Sequence, residues 1–585
     1  MKKLILLLLA FSFCLSSQAQ WSYNTLSNNL YGSNVASIGN KIIFYSGSKY
    51  VGTSQELAQE IEIFNVTTNT KQVLTAPTGA ARVNASAVAL GGKVLFAGGL
   101  TPSGHTTRVD IYDTLTNTWT TAALSVKREN MGSTATTKKA FFGGGSSTAG
   151  NSKVVDIYDL TSNTWTATQF PNATLPSQRT YLCAANVGNR VLFAGGYTTT
   201  IFRDLISVYD TQNNSWLPNT TLSEFKCALG SVTYGNKAYF IGGTASYDGS
   251  DGPTSRYPSD TIDVYDSTTD TWSVMKIPRL TYAGNGKKRT YVQSALAGCK
   301  IFMVPSPSKY DGSGNPGNAD TIAVYDLARN TWSYLALPHP RSGIILAAAE
   351  NKIYFAGGGN VTAPFGGLNH IDIYTISPKL QLAVETTPVT DYAFDFGELL
   401  LGNQISKQLS VSNEGDYELI FKELPTKLVV NGDVTEFSID PSSLDETDTL
   451  APAEVLSLPI SFQPNTVGDK SITIEVYSND PDVPTYTFIL KGNGVISNST
   501  VERDASENVL SIFPVPCNEQ VHIQIKKNYQ VGSLILRDVL GNSLIKSEQL
   551  KVLSTIDTAG LYPGIYVLEV HLDEQVYTKR IVVSR

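Results

Sequence analysis

The sequence predicts an all-β chain whose larger part is a ring of seven radial, four-stranded sheets, and two phrases repeated in phase predict it. The first phrase carries five of the six tryptophans: VDIYDTLTNTW (Val109–Trp119), VDIYDLTSNTW (Val155–Trp165), ISVYDTQNNSW (Ile206–Trp216), IDVYDSTTDTW (Ile262–Trp272) and IAVYDLARNTW (Ile322–Trp332). The steps from Trp to Trp are 46, 51, 56 and 60 residues, near the ~50-residue period of sheets repeated around an axis. The second phrase is an apolar run ending in two glycines: VLFAGG (Val94–Gly99), AFFGGG (Ala140–Gly145), VLFAGG (Val191–Gly196), AYFIGG (Ala238–Gly243) and IYFAGG (Ile353–Gly358). Both phrases together predict a β-propeller.

In chain order, Met1-Lys2-Lys3, the apolar Leu4–Leu15 and the small residues before Ala19 read as a secretory signal cut after Ala19. An apolar run of about 12 residues is too short to cross a bilayer that needs about 20. No other stretch is apolar enough to span, so the mature chain is expected to have no transmembrane segment. Phe13 stands before Cys14, where a lipoprotein signal wants a small residue.

Each repeat then reads as four strands: a small apolar one, the double-glycine strand, the Tyr-Asp strand and the Trp strand. Val-x-Ile-Tyr alternation is the period-two mark of a sheet with two different faces. Glycine lets the backbone bend where no side chain fits. The Asp after Tyr, followed by Thr, Asn or Asp, is turn chemistry, because a short carboxylate captures nearby backbone N–H groups. This combination resembles the kelch repeat. Two units are degenerate: Ile42–Gly47 with Ile61–Asn65 has Lys71 where Trp is expected, and Ile301–Pro305 lacks the glycine pair. Tyr-Asp-type strands near Ile63, Ile111, Ile157, Val208, Val264, Val324 and Ile373 make seven blades. The seventh, His370–Tyr374, has no Trp strand after it. The orphan Trp21 in WSYNTL is expected to supply one and so close the ring, which removes its open edges.

Charge marks the next boundary. Residues 21–378 carry 27 basic and 22 acidic side chains, whereas residues 379–495 carry 6 and 19. The second segment alternates like sandwich strands broken by Asn-Glu-Gly, Pro-Asn and Asn-Asp-Pro turns (Phe394–Leu419, Ile460–Gly494). It resembles the immunoglobulin-like "choice-of-anchor" module related to Hydin-type domains, which implies a spacer or adhesive role. After a polar linker come LSIFPVPCNEQVHIQI (Leu510–Ile525), LILRDVLGNSLI (Leu534–Ile545) and a closing stretch with Gly564-Ile565-Tyr566 and Lys579-Arg580. These resemble the C-terminal sorting domain of the Bacteroidetes type IX secretion system, although Phe513-Pro514-Val515-Pro516 departs from that family's Tyr-Pro-Asn-Pro opening. The resemblance implies export to the medium or cell surface, with the type IX machinery as a partner. The expected layout is therefore signal peptide 1–19, kelch-type β-propeller 20–378, immunoglobulin-like β-sandwich 379–495, linker 496–507 and a small C-terminal β-sandwich sorting domain 508–585.

Several function classes fall away on composition. The net charge is −7 with no basic stretch suited to nucleic acid. Past the signal, Cys183, Cys227, Cys299 and Cys517 form neither a disulfide framework nor a zinc motif. His105, His339, His370, His522 and His571 are scattered, and no nucleophile elbow, HExxH or phosphate loop is present. No cofactor and no metal is expected.

Two features carry the binding expectation. Arg82, Arg128, Arg179, Arg289 and Arg341 each stand just before the inner strand of a blade, with Lys226 in the matching place. Such residues suit a funnel that holds a carboxylate, sulfate or phosphate, and similar arginines line the ligand face of kelch domains that hold acidic peptides. Alternatively, they belong to the repeat itself and bond backbone carbonyls in the turn. The longest loops, Ser246–Thr261 and Pro307–Thr321, both carry Tyr-Asp-Gly, at Tyr247-Asp248 and Tyr310-Asp311. Loops of about 15 residues are uncommon without a job. Asp311, Ser313 and Asn315 could face calcium but lack a downstream bidentate Glu. The function expected is a secreted or surface-attached protein whose propeller captures an extracellular glycan or protein ligand. The alternative is an enzyme on a sugar acid, like sialic-acid mutarotase. It would need an acid, Glu129 or Glu224, beside an arginine pair.

Overall fold

In the computed structural model, residues 21–496 and 509–584 are described apart from short internal segments, the longest being 172–177, 251–255, 279–289, 307–318, 361–365, 423–427 and 440–448. The signal segment lies outside them. Among the described residues from Trp21 to Ile376, seven antiparallel sheets of four or five strands follow one another. Blade one is built on Asn34–Ile38, Lys41–Tyr45, Glu60–Asn65 and Thr70–Thr75. Blades two to six begin at Ser86, Gly132, Cys183, Gly230 and Thr290, and blade seven at Ile345. Each innermost strand neighbours the next, and Ile345–Ala349 returns to Asn34–Ile38. The fourth strand of blade seven is Trp21–Thr25, paired antiparallel with His370–Thr375 so that Trp21 faces Tyr374. The orphan Trp thus completes the last sheet. Its ring packs 5.0 Å from Tyr374 and 5.7 Å from Phe355.

The Tyr-Asp…Trp phrase is a self-contained turn. Asp113 accepts backbone hydrogens from Leu115 and Thr116 at 3.0 and 3.2 Å, and Asp159, Asp210, Asp266 and Asp326 repeat the pattern. Asn117 closes the turn at φ 55°, a left-handed conformation that Asn tolerates better than most side chains. Its Oδ1 accepts the Tyr112 hydroxyl at 2.9 Å, and Trp119 then lies 4.9 Å from the Tyr112 ring. In blade one Lys71 replaces Trp, and its Nζ sits 5.7 Å over Phe64 while reaching the Thr25 carbonyl at 2.7 Å and Glu62 at 3.5 Å. The wedges between blades are filled by side chains such as Phe44, Phe96, Phe142, Phe193, Phe240, Phe302 and Phe355, all without exposed surface.

The double glycine serves the joint between blades. Gly98 and Gly99 adopt φ 64° and 106°, and a Cβ on Gly98 would stand 2.3 Å from the Arg128 carbonyl of the next connector. Gly99 N–H donates to that same carbonyl at 2.9 Å, as Gly145 does to Arg179 and Gly196 to Lys226. No other residue permits this backbone approach.

The connector arginines hold the same joint from inside. Arg82 has no exposed surface. It donates to the Gly98 and Phe96 carbonyls, each at 2.7 Å, and to Asp110 at 2.6 Å. Arg128 pairs with Asp156 and the Phe142 carbonyl, Arg341 with Asp372 and the Gly357 carbonyl, and Lys226 with Asp263 at 2.6 Å. In these four the partner is the carboxylate of the Tyr-Asp strand two residues before Tyr.

Contact grouping divides the chain into two compact units. The first continues past the propeller into a sandwich, whose sheet sets Leu380–Val384 beside Ile405–Asn413, then Val455–Phe462 and Phe437–Ile439. Arg329, on the blade-six turn, donates to the Glu414 and Gly415 carbonyls at 2.9 Å and meets Asp416 at 3.3 Å. The second unit contains Asn493–Arg585. There, strands Leu510–Phe513, Gln520–Ile525 and Leu553–Asp557 form one sheet, and Ser543–Ser547, Gly532–Arg537, Gly564–Leu572 and Gln575–Val583 form another. Both sheets bury Val521, Ile523, Leu536, Leu568, Val570 and Ile581 in one core.

The buried pair sets a stability test. Burial pushes the Asp110 carboxyl up, but hydrogen bonds from Arg108 and the charge of Arg82 outweigh it and hold the group below its ordinary value. Its contribution is therefore complete above about pH 4 and is lost as pH falls through the lowered value. Asp110→Asn should cost about 3–5 kcal/mol at pH 7, since it leaves a buried guanidinium uncompensated. Urea unfolding of the two proteins should converge below about pH 4; a constant gap down to pH 2.5 would refute the pairing argument.

Candidate functional site

The loops that follow each double glycine lie against the connectors that enter the blades. Isolated bridges Val83–Leu100, Glu129–Ser146, Thr180–Tyr197 and Ser342–Gly359 tie each connector to its blade's loop. This produces one loop face, and among the described residues its loops depart from the repeat at blades four and five. There a three-stranded ribbon, Phe225–Cys227, Thr244–Ser246 and Arg256–Pro258, stands on blade five. Its loop joins that of blade four, because Phe202 N–H donates to the Gly249 carbonyl at 2.7 Å and Ile201 bridges Ser250.

An aromatic surface results. Tyr247 is 70 % exposed and stacks on Tyr257 with ring centres 4.2 Å apart. Ile201 and Tyr181 are exposed on the adjoining loop and connector. Phe202 lies beneath, 5.4 Å from Tyr197 and 5.7 Å from the Arg256 guanidinium. Burial, with the Glu224 carboxylate beside it, pushes the Tyr257 hydroxyl up to about 12, so it stays a neutral hydrogen-bonding group. Tyrosine presents a large apolar face and a polar tip at low entropic cost, which suits a contact surface.

The residues expected from sequence divide into three groups. Tyr247 lies at the exposed surface. Asp248 lies beside it but shapes the loop, accepting from Ser250 N–H and hydroxyl at 2.9 and 2.7 Å. Arg289, Tyr310 and Asp311 fall outside the described residues. The expectation that the connector cations line an open funnel is corrected: Arg82, Arg128, Arg179, Lys226 and Arg341 have no exposed surface. The second role considered for them, bonding carbonyls within the repeat, is the one their geometry displays. The physical reason is that the guanidinium forks of Arg82, Arg128 and Arg341 find carbonyls and a carboxylate inside their own blades, Lys226 finds Asp263, and Arg179 finds the Phe193 carbonyl and Ser207.

The wall of the ring interior is lined by Ala36, Ser37, Ala87, Ala89, Thr134 and Ala185 with further Ser, Thr, Ala and Val, around a space of about 370 Å³. Among the described residues that lining carries no acid beside an arginine pair. Of the two acids weighed for a sugar-acid reaction, Glu129 contacts Asn84 at 3.0 Å and His105 at 3.4 Å, and Glu224 accepts from Ser259 and Thr261 at 2.6 and 2.9 Å. Among the described residues, no group of three or more His, Cys, Asp or Glu side chains is placed to hold a metal. Tyr181, Ile201, Arg203, Arg256 and Tyr257 were not singled out by sequence reasoning. The signal that could have found them is departure from the repeat, since blade four carries Ser207 where its neighbours carry Asp.

Blades whose connector cations are internal and whose double glycines and Tyr-Asp strands recur in phase define a β-propeller of the kelch type. Residues 42–304 match the Attractin/LZTR1 beta-propeller model, residues 388–493 the HYDIN/CFA65/VesB-like Ig-like domain, and residues 511–584 the secretion system C-terminal sorting domain. The chain therefore carries a kelch-type β-propeller, a Hydin-like Ig domain and a type IX sorting domain, and that last domain marks it for export to the cell surface or medium. Among curated proteins it is similar to Kelch-like protein 23 of Homo sapiens, 27 % identical over 29 % of this chain and 28 % of that protein. It is also similar to Kelch-like protein 25 of Xenopus tropicalis, 27 % identical over 32 % of this chain and 30 % of that protein. The chain spans less than a third of the length of these relatives. No helix among the described residues is long and apolar enough to cross a membrane.

Frame and face should separate experimentally. Arg128→Ala should lower unfolding free energy by about 3 kcal/mol or more, whereas Tyr247→Ala should change it by no more than about 0.5 kcal/mol. Urea denaturation measures both, and equal losses would refute the division.

Proposed function

We propose that this is an exported binding protein that captures an extracellular glycan or protein segment on the loop face of propeller blades four and five. The observation that carries the reading is the stack of exposed Tyr247 on half-buried Tyr257, joined through Gly249 to the blade-four loop. Two blades thereby contribute to one surface on a rigid ring, the usual arrangement of binding loops on a scaffold. The domain limits near residues 378, 495 and 508 are part of the proposal, with the sandwich serving as a spacer. The sorting domain supplies the address, and the propeller supplies the contact.

Capture from an extracellular fraction, and a glycan array, would test it. Tyr247→Ala with Tyr257→Ala should weaken the retained ligand at least tenfold, about 1.4 kcal/mol, while the melting temperature stays within about 2 °C. Undiminished binding by the double variant would place the contact elsewhere. Removal of residues 509–585 should leave the protein inside the producing cell, judged by fractionation; undiminished export would overturn the proposed role of that segment as the address.

A further inference from the structure

Blade four departs from its sister blades at two positions that face the same buried arginine. In blades two, three and seven the connector arginine meets the carboxylate of Asp110, Asp156 or Asp372. In blade four that residue is Ser207, which accepts from Arg179 Nη2 at 3.0 Å. The second change lies at the residue whose N–H returns to the double glycine. It is Thr106 in blade two, Ser152 in blade three and Ser259 in blade five, but Arg203 in blade four, whose N–H reaches the Gly196 carbonyl at 2.9 Å. One negative charge has been removed and one positive charge added at the same place in the repeat.

The consequence is visible in the hydrogen bonding. Arg179 has no exposed surface, yet its Nε and Nη1 have no partner, and neither does Nε of Arg203. The neighbouring cation Lys226 already has Asp263 at 2.6 Å. Asp204 influences both guanidinium groups through space, but it is itself partly buried, and burial pushes its carboxyl up. Burial also pushes the Arg179 guanidinium down to about 9, and the charge of Arg203 adds to that. A buried cation without a counter-charge is costly, and groups of this kind are expected to find one.

We propose that Arg179, Arg203 and Ser207 form a site for one carboxylate supplied from outside the chain, standing in for the aspartate that blades two, three, five and seven provide internally. The choice of a carboxylate follows from the sister blades, where the same fork grips a carboxylate. Arg203 keeps 6 % of its surface exposed, and only Phe202 separates it in sequence from the exposed run Thr199–Ile201. The site rests on the repeat geometry and stands whether or not the tyrosine face binds a ligand.

The test uses the full mature chain and sodium acetate as the probe, titrated against sodium chloride at constant ionic strength and pH 7.5, with the melting temperature as readout. Wild type should show a saturable rise specific to acetate. Ser207→Asp should remove that rise because the internal carboxylate takes the place. Arg203→Ser, which restores the sister-blade residue type, should raise the half-saturating concentration at least fivefold. A flat wild-type titration, or an identical acetate response in both variants, would overturn the site. A phosphate response stronger than that to acetate and lost in Ser207→Asp would overturn the carboxylate assignment. Should Ser207→Asp fail to fold, the Arg203→Ser comparison decides alone.

Discussion

A guanidinium sealed from water has to be satisfied where it sits, and in this propeller that requirement organises blades two, three and seven. The connector arginine enters from the preceding blade, bonds carbonyls of the double-glycine strand and ends on the carboxylate of the Tyr-Asp strand. Three segments distant in sequence are thereby fixed by one side chain. The same carboxylates take further load, for Asp156 accepts Ser125 N–H at 3.0 Å and Asp263 accepts Ser223 N–H at 2.7 Å. In blade one Glu62 takes this part, accepting Ser27 N–H at 2.7 Å beside the closing strand. Such a pair is weak evidence of net stability, because desolvation offsets attraction, but it makes any wrong register expensive.

The pair also explains the division between frame and face. Cations engaged inside the blades leave the loop face to residues the repeat does not constrain. Those loops can vary without disturbing the joints, since the glycines bind the connector through backbone atoms alone. Closure makes the platform rigid: strand Trp21–Thr25 occupies the last sheet's open edge, so the ring does not depend on a partner to complete it. Blade four is the place where frame and face meet. Its arginine lacks the internal acid, and its loop is tied to the aromatic ribbon of blade five.

Much of the frame could be read directly from the chain. The Asp of Tyr-Asp, the Asn four residues later and the Trp two further on specify a turn through local bonds, so their spacing is visible without tertiary information. The double glycines are visible for the same reason, since their backbone angles admit few other residues. The direction of the connector arginines was not legible. An arginine before an inner strand can turn outward to the funnel or inward to its own sheet, and the outcome depends on the carbonyls of Phe96 and Gly98, brought near by pairing across the blade. The Tyr247–Tyr257 stack was half legible: the long loop marked Tyr247, while Tyr257 joins it only because the ribbon folds back.

Sequence by itself determined the repeat, the order of the three β modules and the need for Trp21 to close the ring, because each follows from local turn chemistry, strand alternation and the count of strands. Tertiary structure alone decided which polar groups are internal and which face outward. That decision rests on hydrogen bonds between residues tens of positions apart, such as Arg82 with Asp110 and Arg179 with Ser207, and on the desolvation that makes an unmatched partner conspicuous.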